Sequence, residues 1–343
     1  MAGKTERCTL TDIARSVGIS RAAAGKVLLG SGGNGIRVST KTAQRVRRAA
    51  ANLGYCPNRV AQQLRGKPSQ LISLIMALDA PSVELDRLLQ IERQGFELGF
   101  QISVSAIPPG KPIKQIQLVV DMMAGRGVDG FIFITPDENV YARRFPDMHG
   151  VPTVFNGVGT RFADRAVVSM DMEMGGRLSA EHVLRSGRRR IGTAYLGPNV
   201  FSKGRLRGIA SALRNSGARS RKPVLLKPRP GLQELPEPIA EELVDRIVVR
   251  GKVDALIVEN DYWAARLLNV MKQRGVRVPD DVALVGYNNL DLGGFTDPAL
   301  TTIEEHNDRI AAGLLRLLQR QLAGERSGEQ LLIAPELVVR ESA

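Results

Sequence analysis

The sequence predicts a small all-helical module followed by an α/β body long enough for two doubly wound parallel-sheet units. Three observations carry this. The chain has 343 residues, too many for one small domain. Its net charge of +13 is uneven: residues 1–68 hold 13 basic residues against two acids, Glu6 and Asp12, and the rest is nearly neutral. From Leu71 onward, short apolar runs alternate with longer amphipathic stretches. A concentrated basic module suits a polyanion better than a uniformly basic surface would.

Composition narrows the class further. At 43% hydrophobic and 24% charged the body can build ordinary cores. No apolar run approaches the roughly 20 residues that span a bilayer. The opening stretch MAGKTERCTLTD lacks the apolar core of a secretion signal. Two cysteines, Cys8 and Cys56, make no disulfide framework and fit the reducing cytoplasm of a bacterium. With only His149, His182 and His306 besides, no zinc spacing exists, so neither metal nor cofactor is expected.

Taking the elements in order, Thr9-Leu10-Thr11-Asp12 reads as a helix start, with Thr9 as cap and Asp12 returning the bond three residues on. Ile13, Ala14 and Val17 fall on one face, and Gly18 ends the helix after two turns. Ser20 caps a second helix over Arg21–Leu29, with Ala24, Val27 and Leu28 inward and Arg21, Ala22, Gly25 and Lys26 outward. Two short helices joined by a tight glycine turn form a helix-turn-helix, and small outward residues let the helix approach base edges. Gly30-Ser31-Gly32-Gly33-Asn34-Gly35 lacks the preceding strand and following Lys-Ser/Thr of a phosphate loop, and reads as a turn. Ser39 or Thr40 then caps a third helix through Leu53, its apolar stripe made of Val46, Ala49, Ala50 and Leu53.

Here the sequence resembles a known family. Thr9-Leu10-Thr11-Asp12-Ile13-Ala14, Val17-Gly18-Ile19-Ser20, Val38-Ser39 and Leu53-Gly54-Tyr55-Cys56-Pro57-Asn58 look like the DNA-binding headpiece of the lac-repressor/galactose-repressor family of bacterial transcription regulators. Pro57 to Leu64 resembles that family's hinge helix. The resemblance implies base reading by Arg21, Ala22 and Lys26, and backbone contacts from Thr9, Ser20, Arg37, Ser39 and Thr42. It also implies a hinge in which Asn58, Ala61 and Leu64 meet the minor groove, Leu64 as a wedge at the central step. Arg21 has the donors for guanine O6/N7 but equally those for a phosphate, and Ala22 can touch only a thymine methyl. The chain departs from the family where a Thr-Val-Ser-Arg run is usual: Ala23-Ala24-Gly25-Lys26 stands there, and Lys26 lacks the bidentate fork of Arg. The Gly-rich loop is also about three residues longer than in the family, which leaves the placement of Asn34 and Arg37 open.

In the body, Leu71–Leu78, Gln101–Ala106, Gly130–Ile134, Pro152–Phe155, Ala166–Met170, Arg190–Leu196, Val224–Lys227, Asp254–Val258 and Asp281–Tyr287 read as strands separated by helices such as Val83–Leu98 and Ile113–Gly125. That alternation predicts parallel sheets covered on both faces. Collinear signatures extend the resemblance over the body, among them Met174-Gly175-Gly176-Arg177-Leu178, Gly204-Arg205-Leu206-Arg207-Gly208, Asn260-Asp261 and the run from Val278 to Tyr287. Arg188-Arg189-Arg190 reads as the cap of a helix C-terminus facing solvent.

The resemblance therefore implies an all-α helix-turn-helix headpiece (1–56) and a hinge helix with linker (57–69). After them comes an α/β periplasmic-binding-protein-like body (70–343) of two doubly wound parallel-sheet lobes. Lobe 1 is placed at about 70–169 and 299–328, lobe 2 at about 170–297 and 329–343, with crossings near 168–172, 288–298 and 325–332. Ligands of open α/β sheets bind beyond the carboxyl ends of strands. That rule and the resemblance nominate Ser82, Asn156, Arg205, Asp261 and Trp263 as effector-binding residues; Trp263 fits a sugar-stacking ring and a core residue equally well. Expected partners are palindromic double-stranded operator DNA, a small carbohydrate-like effector and a second copy in a homodimer, with no membrane. A transport binding protein would leave the headpiece idle. For an enzyme, no Ser-His-Asp, paired-acid or metal constellation emerges.

Overall fold

In the computed structural model the described residues are 8–30, 36–64, 66–78, 82–108, 113–134, 147–157, 165–214, 216–220, 222–227, 234–325 and 328–343. The chain divides into two compact units, Met1–Ser69 and Gln70–Ala343.

Among its described residues the first unit has three short helices and a fourth of five residues: α1 (Leu10–Val17), α2 (Arg21–Leu29), α3 (Thr40–Asn52) and α4 (Arg59–Gln63). Local chemistry sets each boundary. Thr9 and Asp12 form a reciprocal capping box on α1, and Gly18 closes that helix in the left-handed region at φ 72°. Ser20 accepts from the Ala23 N–H at 3.1 Å, Ser39 from Thr42 at 3.2 Å, and Asn58 from Ala61 at 3.1 Å. The core is small: Ile13, Val17, Val46 and Ala50 are buried, with Val27, Leu28 and Tyr55 packed against them. Two expectations change. Gly25, read as outward, is buried, because without a side chain its backbone is covered by its neighbours. Leu53, read as part of the α3 stripe, is the C-cap residue and is exposed. The segment holding Asn34 lies outside the described residues.

The second unit holds two parallel sheets. The first has the order β12-β5-β4-β3-β1-β2, from β1 (Leu71–Ala77), β2 (Gln101–Ile107), β3 (Gly130–Ile134), β4 (Thr153–Asn156), β5 (Ala166–Met170) and β12 (Gln330–Ile333). Its faces are covered by α5 (Ser82–Glu97), α6 (Ile113–Gly125) and a late helix, α11 (Asn307–Leu322). Ile72, Leu74, Ile132 and Val154 meet Ile310, Leu314 and Leu318 on one side. Phe131, Phe133 and Phe155 meet Ile116 and Val120 on the other. Burial on both faces explains the largely apolar runs of β1, β3, β4 and β5, whereas the edge strands β2 and β12 carry exposed residues.

The second sheet centres on β6 (Arg190–Leu196), flanked by β9 (Ala255–Val258) and β10 (Ala283–Val285) on one side and by the short β7 (Arg219–Ser220) and β8 (Val224–Leu226) on the other. Around it lie α7 (Met172–Arg185), α8 (Val200–Leu213), α9 (Glu237–Leu243) and α10 (Asp261–Gln273). Helices α7 and α8 cross in near backbone contact: a Cβ on Gly176 would lie 2.0 Å from the Arg205 carbonyl oxygen, and one on Gly208 1.9 Å from that of Glu173. The paired glycines of those two signatures are therefore a packing device that sets the height of Arg205. Arg189 donates to the Leu184 carbonyl at the end of α7, and Arg188 to Pro279 and Asp280, so this basic run closes a helix end and a loop.

The chain passes between the lobes at Asp171, through residues 286–301, and again after Ile333; a two-stranded antiparallel ribbon, β11 (Thr302–Glu304) with β13 (Glu336–Val338), accompanies the last two passages. Here the expected lobe boundary is corrected. Residues 330–333, assigned to lobe 2, pair with β5 in the first sheet, so the final crossing follows them instead of lying at 325–332. Conversely, Thr301 bridges to Val285 and Ser342 bonds to Leu284, so both ends of that connection belong with the second lobe. β12 is a short strand with every other residue exposed, which makes it a weak signal in sequence.

Candidate functional site

A cleft of about 140 Å³ lies beyond the carboxyl ends of strands from both sheets. Val83, Glu84, Arg87 and Met170 line it from the first lobe, Leu196, Phe201, Arg205, Glu259 and Asn260 from the second, and Asn288 and Glu305 from the connections. The position is the one that doubly wound sheets reserve for ligands. One part of the wall is apolar, through Val83, Met170, Leu196 and Phe201; the rest is charged, through Glu84, Arg87, Arg205, Glu259 and Glu305, or neutral polar, through Asn260 and Asn288.

Arg205 comes from the second turn of α8, a helix started by a capping box between Asn199 and Ser202. It is 4% exposed and its guanidinium carbon stands 3.7 Å from the centre of the Tyr287 ring. Nη1 donates to the Glu259 carbonyl at 2.8 Å and lies 3.5 Å from the Glu259 carboxylate. Nε is buried and has no hydrogen-bond partner among the described residues, an unmatched donor at the cleft. Glu259 in turn accepts from the Leu196 N–H at 2.9 Å, and burial raises its pKa above the usual carboxylate range despite the nearby guanidinium.

Arg87 is the counterpart on α5 and is almost wholly buried. Nε donates to Asn307 at 3.0 Å, Nη1 to Asn156 at 2.6 Å, and Nη2 to Glu305 at 2.9 Å. Burial raises the pKa of Glu305, opposed by Arg87 and Arg205. One guanidinium thus ties α5, the end of β4, the start of α11 and the connection at Glu305 into a single polar network.

Of the five nominated effector residues, the cleft wall contains only Arg205. Asn156 stands behind it: its amide donates to the Val168 carbonyl and its oxygen holds Arg87. Ser82 begins α5 one residue before the lining segment. Of the two readings open for Trp263 the core one holds and the effector-binding one does not: it is fully buried in the core of the second lobe with Leu235, Leu243 and Leu267, because the inner face of α10 packs against the sheet. Asp261 is also placed elsewhere. Fully buried, it accepts from the Thr302 hydroxyl and the Leu290 N–H, each at 2.7 Å, and so grips the segments that join the lobes. Burial pushes its pKa up to about 7. As the first residue of α10 it points back toward those segments, while its predecessors Glu259 and Asn260 face the cleft. Sequence reasoning missed Glu84, Arg87, Glu259 and Glu305. An acid next to the Asn-Asp pair was the one available signal.

In the first unit, Arg21, Ala22 and Arg37 are exposed and Lys26 is half-buried. The side chains of Thr9, Ser20, Ser39 and Asn58 are engaged in capping, Thr42 lies 3.0 Å from Ser39 through its hydroxyl, and Ala61 is exposed on α4. Each cap satisfies one first-turn N–H and leaves others of that turn without an intrahelical partner, groups of the kind that suit phosphates. Leu64, just past α4, is 85% exposed.

Comparison with known proteins bears on both units. The model for bacterial regulatory proteins of the lacI family matches residues 9–58, and that for the periplasmic binding protein-like domain matches residues 180–343. The HTH-type transcriptional regulator CelR of Thermobifida fusca is 28% identical, with 99% of each chain covered. DegA of Bacillus subtilis is 27% identical, with 98% of each covered. Among solved structures, the lac repressor dimer bound to operator and an anti-inducer matches with a TM-score of 0.81 at 24% identity, over 98% of this chain and 99% of that one. The CelR–cellobiose complex matches with a TM-score of 0.69 at 25% identity, over 98% and 100%.

These features define a DNA-binding transcription regulator with a helix-turn-helix headpiece and an effector-binding body. The chain belongs to the lacI family of bacterial regulatory proteins, a family of regulators and not of enzymes. Among the described residues no helix is long and apolar enough to cross a membrane.

Proposed function

We propose that this protein is a repressor that binds a palindromic operator as a homodimer in the bacterial cytoplasm and responds to a small polyhydroxylated effector held between its lobes. The observation that carries the reading is the cleft itself, where a buried arginine has a donor unmatched among the described residues, in a body whose chain also bears a basic helix-turn-helix unit. In this reading residues 1–56 read DNA, 57–69 form the hinge and 70–343 sense the effector. Arg21, Ala22 and Lys26 meet base edges; Thr9, Ser20, Arg37, Ser39 and Thr42 position the backbone. Asn58, Ala61 and Leu64 serve the minor groove. Arg205 contacts the effector, Asn156 supports that site through Arg87, and Asp261 links it to the connections between lobes. CelR, a relative solved with cellobiose, supports a carbohydrate-like ligand. The exposed Leu85, Leu89 and Phe96 on α5 supply an apolar face for the second copy.

Effector binding acts only through unequal affinity for the DNA-competent and incompetent states. The test is a thermal-shift screen of carbon-source metabolites on the full-length protein, followed by DNA binding with each hit. A metabolite that raises the melting temperature and changes affinity for a selected duplex by tenfold or more is expected. Metabolites that stabilise the protein yet leave DNA affinity unchanged would contradict the reading.

A further inference from the structure

The two arginines of the cleft do not face it as free cations. Arg87 is held by Glu305 at 2.9 Å, and Arg205 by Glu259 through a 3.5 Å ion pair. A third acid, Glu84, also lines the wall and is buried. Counted by formal charge, the described residues of the cleft wall set three carboxylates against two guanidiniums. A site built for a phosphate or carboxylate leaves its guanidinium forks open for bidentate contact. Here Nε of Arg87 is taken by Asn307 and Nη1 by Asn156, and Nη1 of Arg205 is taken by the Glu259 backbone. What the wall offers instead is carboxylate oxygen, the acceptor for hydroxyl and ammonium donors.

We infer that the cleft selects a hydroxyl-bearing ligand without negative charge, a neutral or amine-bearing sugar rather than a sugar acid or sugar phosphate, and that Glu259 sets this selection by neutralising Arg205. The inference rests on the reading of the cleft as the effector site. Burying a ligand anion beside these acids adds like charge in a desolvated place, which costs more than surface contact would. Glu259 is the decisive residue because it is the acid paired with Arg205 through Nη1, while Arg205 Nε has no hydrogen-bond partner among the described residues. Removing its charge while keeping its shape converts Arg205 into an anion receptor. The carboxylate that accepts from Leu196 becomes an amide whose oxygen still does so.

The probe is inorganic sulfate, with chloride at matched ionic strength as control, read by melting temperature on full-length wild type, Glu259→Gln, Arg205→Met and the double variant. The basic headpiece supplies a sulfate background common to all four. Wild type and Arg205→Met are expected to show the same sulfate response. Glu259→Gln gains a further saturable rise of about 2 °C or more, which the double variant loses. A sulfate shift in wild type that Arg205→Met abolishes, or no gain in Glu259→Gln, overturns the inference. Should a variant fail to fold, the charge of any effector found by the metabolite screen decides: an anionic effector overturns the inference, and a neutral or cationic one supports it. A screen without any DNA-active hit would sink the effector reading while leaving the sulfate result to stand on its own.

Discussion

The headpiece and the body solve opposite problems. In the headpiece each helix is fixed by residues three or four positions away, the core is a handful of side chains, and the groups proposed for function lie on the surface. In the body the groups proposed for function are buried or half-buried, and they converge from segments as far apart as residues 83 and 305. Local chemistry builds the first; long-range pairing of charges builds the second. A substitution should therefore act over one turn in the headpiece and across the whole body network.

The largest effect is expected at Arg87. Replacing it with alanine leaves Glu305 buried without its partner and should cost the body roughly 3–5 kcal/mol in urea unfolding; a loss under about 1 kcal/mol would mean the network is only a surface-like contact. Next comes the pH dependence of Asp261. Its pKa of about 7 in the folded protein stands well above the ordinary 3.8. Below pH about 4 the group is protonated in both states and costs nothing. As pH rises toward 7 the unfolded chain releases the proton first, so stability falls, by a few kcal/mol in all. The stability difference between wild type and Asp261→Asn should track that window and flatten above it; a difference that is constant from pH 4 to 7 would remove the assignment.

Smaller again is Gly208→Ala. The added methyl meets the Glu173 carbonyl oxygen at the α7–α8 crossing, and a loss of about 1–3 kcal/mol is expected in denaturant unfolding of the body. Wild-type stability would show that the crossing gives way freely. The smallest effect belongs to the headpiece. Thr9→Ala removes one half of a capping box and should cost about 1 kcal/mol, read as faster amide exchange in α1 and unchanged exchange in the body. Equal loss of protection in both units would break the contrast between them.

The same contrast explains what sequence reading reached. The caps at Thr9, Ser20 and Ser39, the bounds of α2 and several strand limits are legible because they depend on neighbours in the chain. Arg205 was legible through a collinear signature. Arg87 was not, because nothing near it in sequence announces Asn156, Glu305 or Asn307 as partners. Trp263 was misplaced because residue type alone does not tell a stacking ring from a core ring. Asp261 misled by one step: on a helix start, adjacent positions point to different neighbours, so Glu259 and Asn260 reached the cleft while Asp261 reached Thr302. β12 went unassigned because a short edge strand buries too little to leave a pattern.

Operator recognition in the proposed regulator depends most on Leu64 working against DNA and not within the protein. Duplexes selected from a random pool by the full-length protein provide the ligand, and affinity is then measured at fixed salt for wild type and Leu64→Ala. An enriched palindrome is predicted, bound at least tenfold more weakly by the variant, with affinity for random duplex unchanged. No enrichment, or an equal loss on both duplexes, would contradict it.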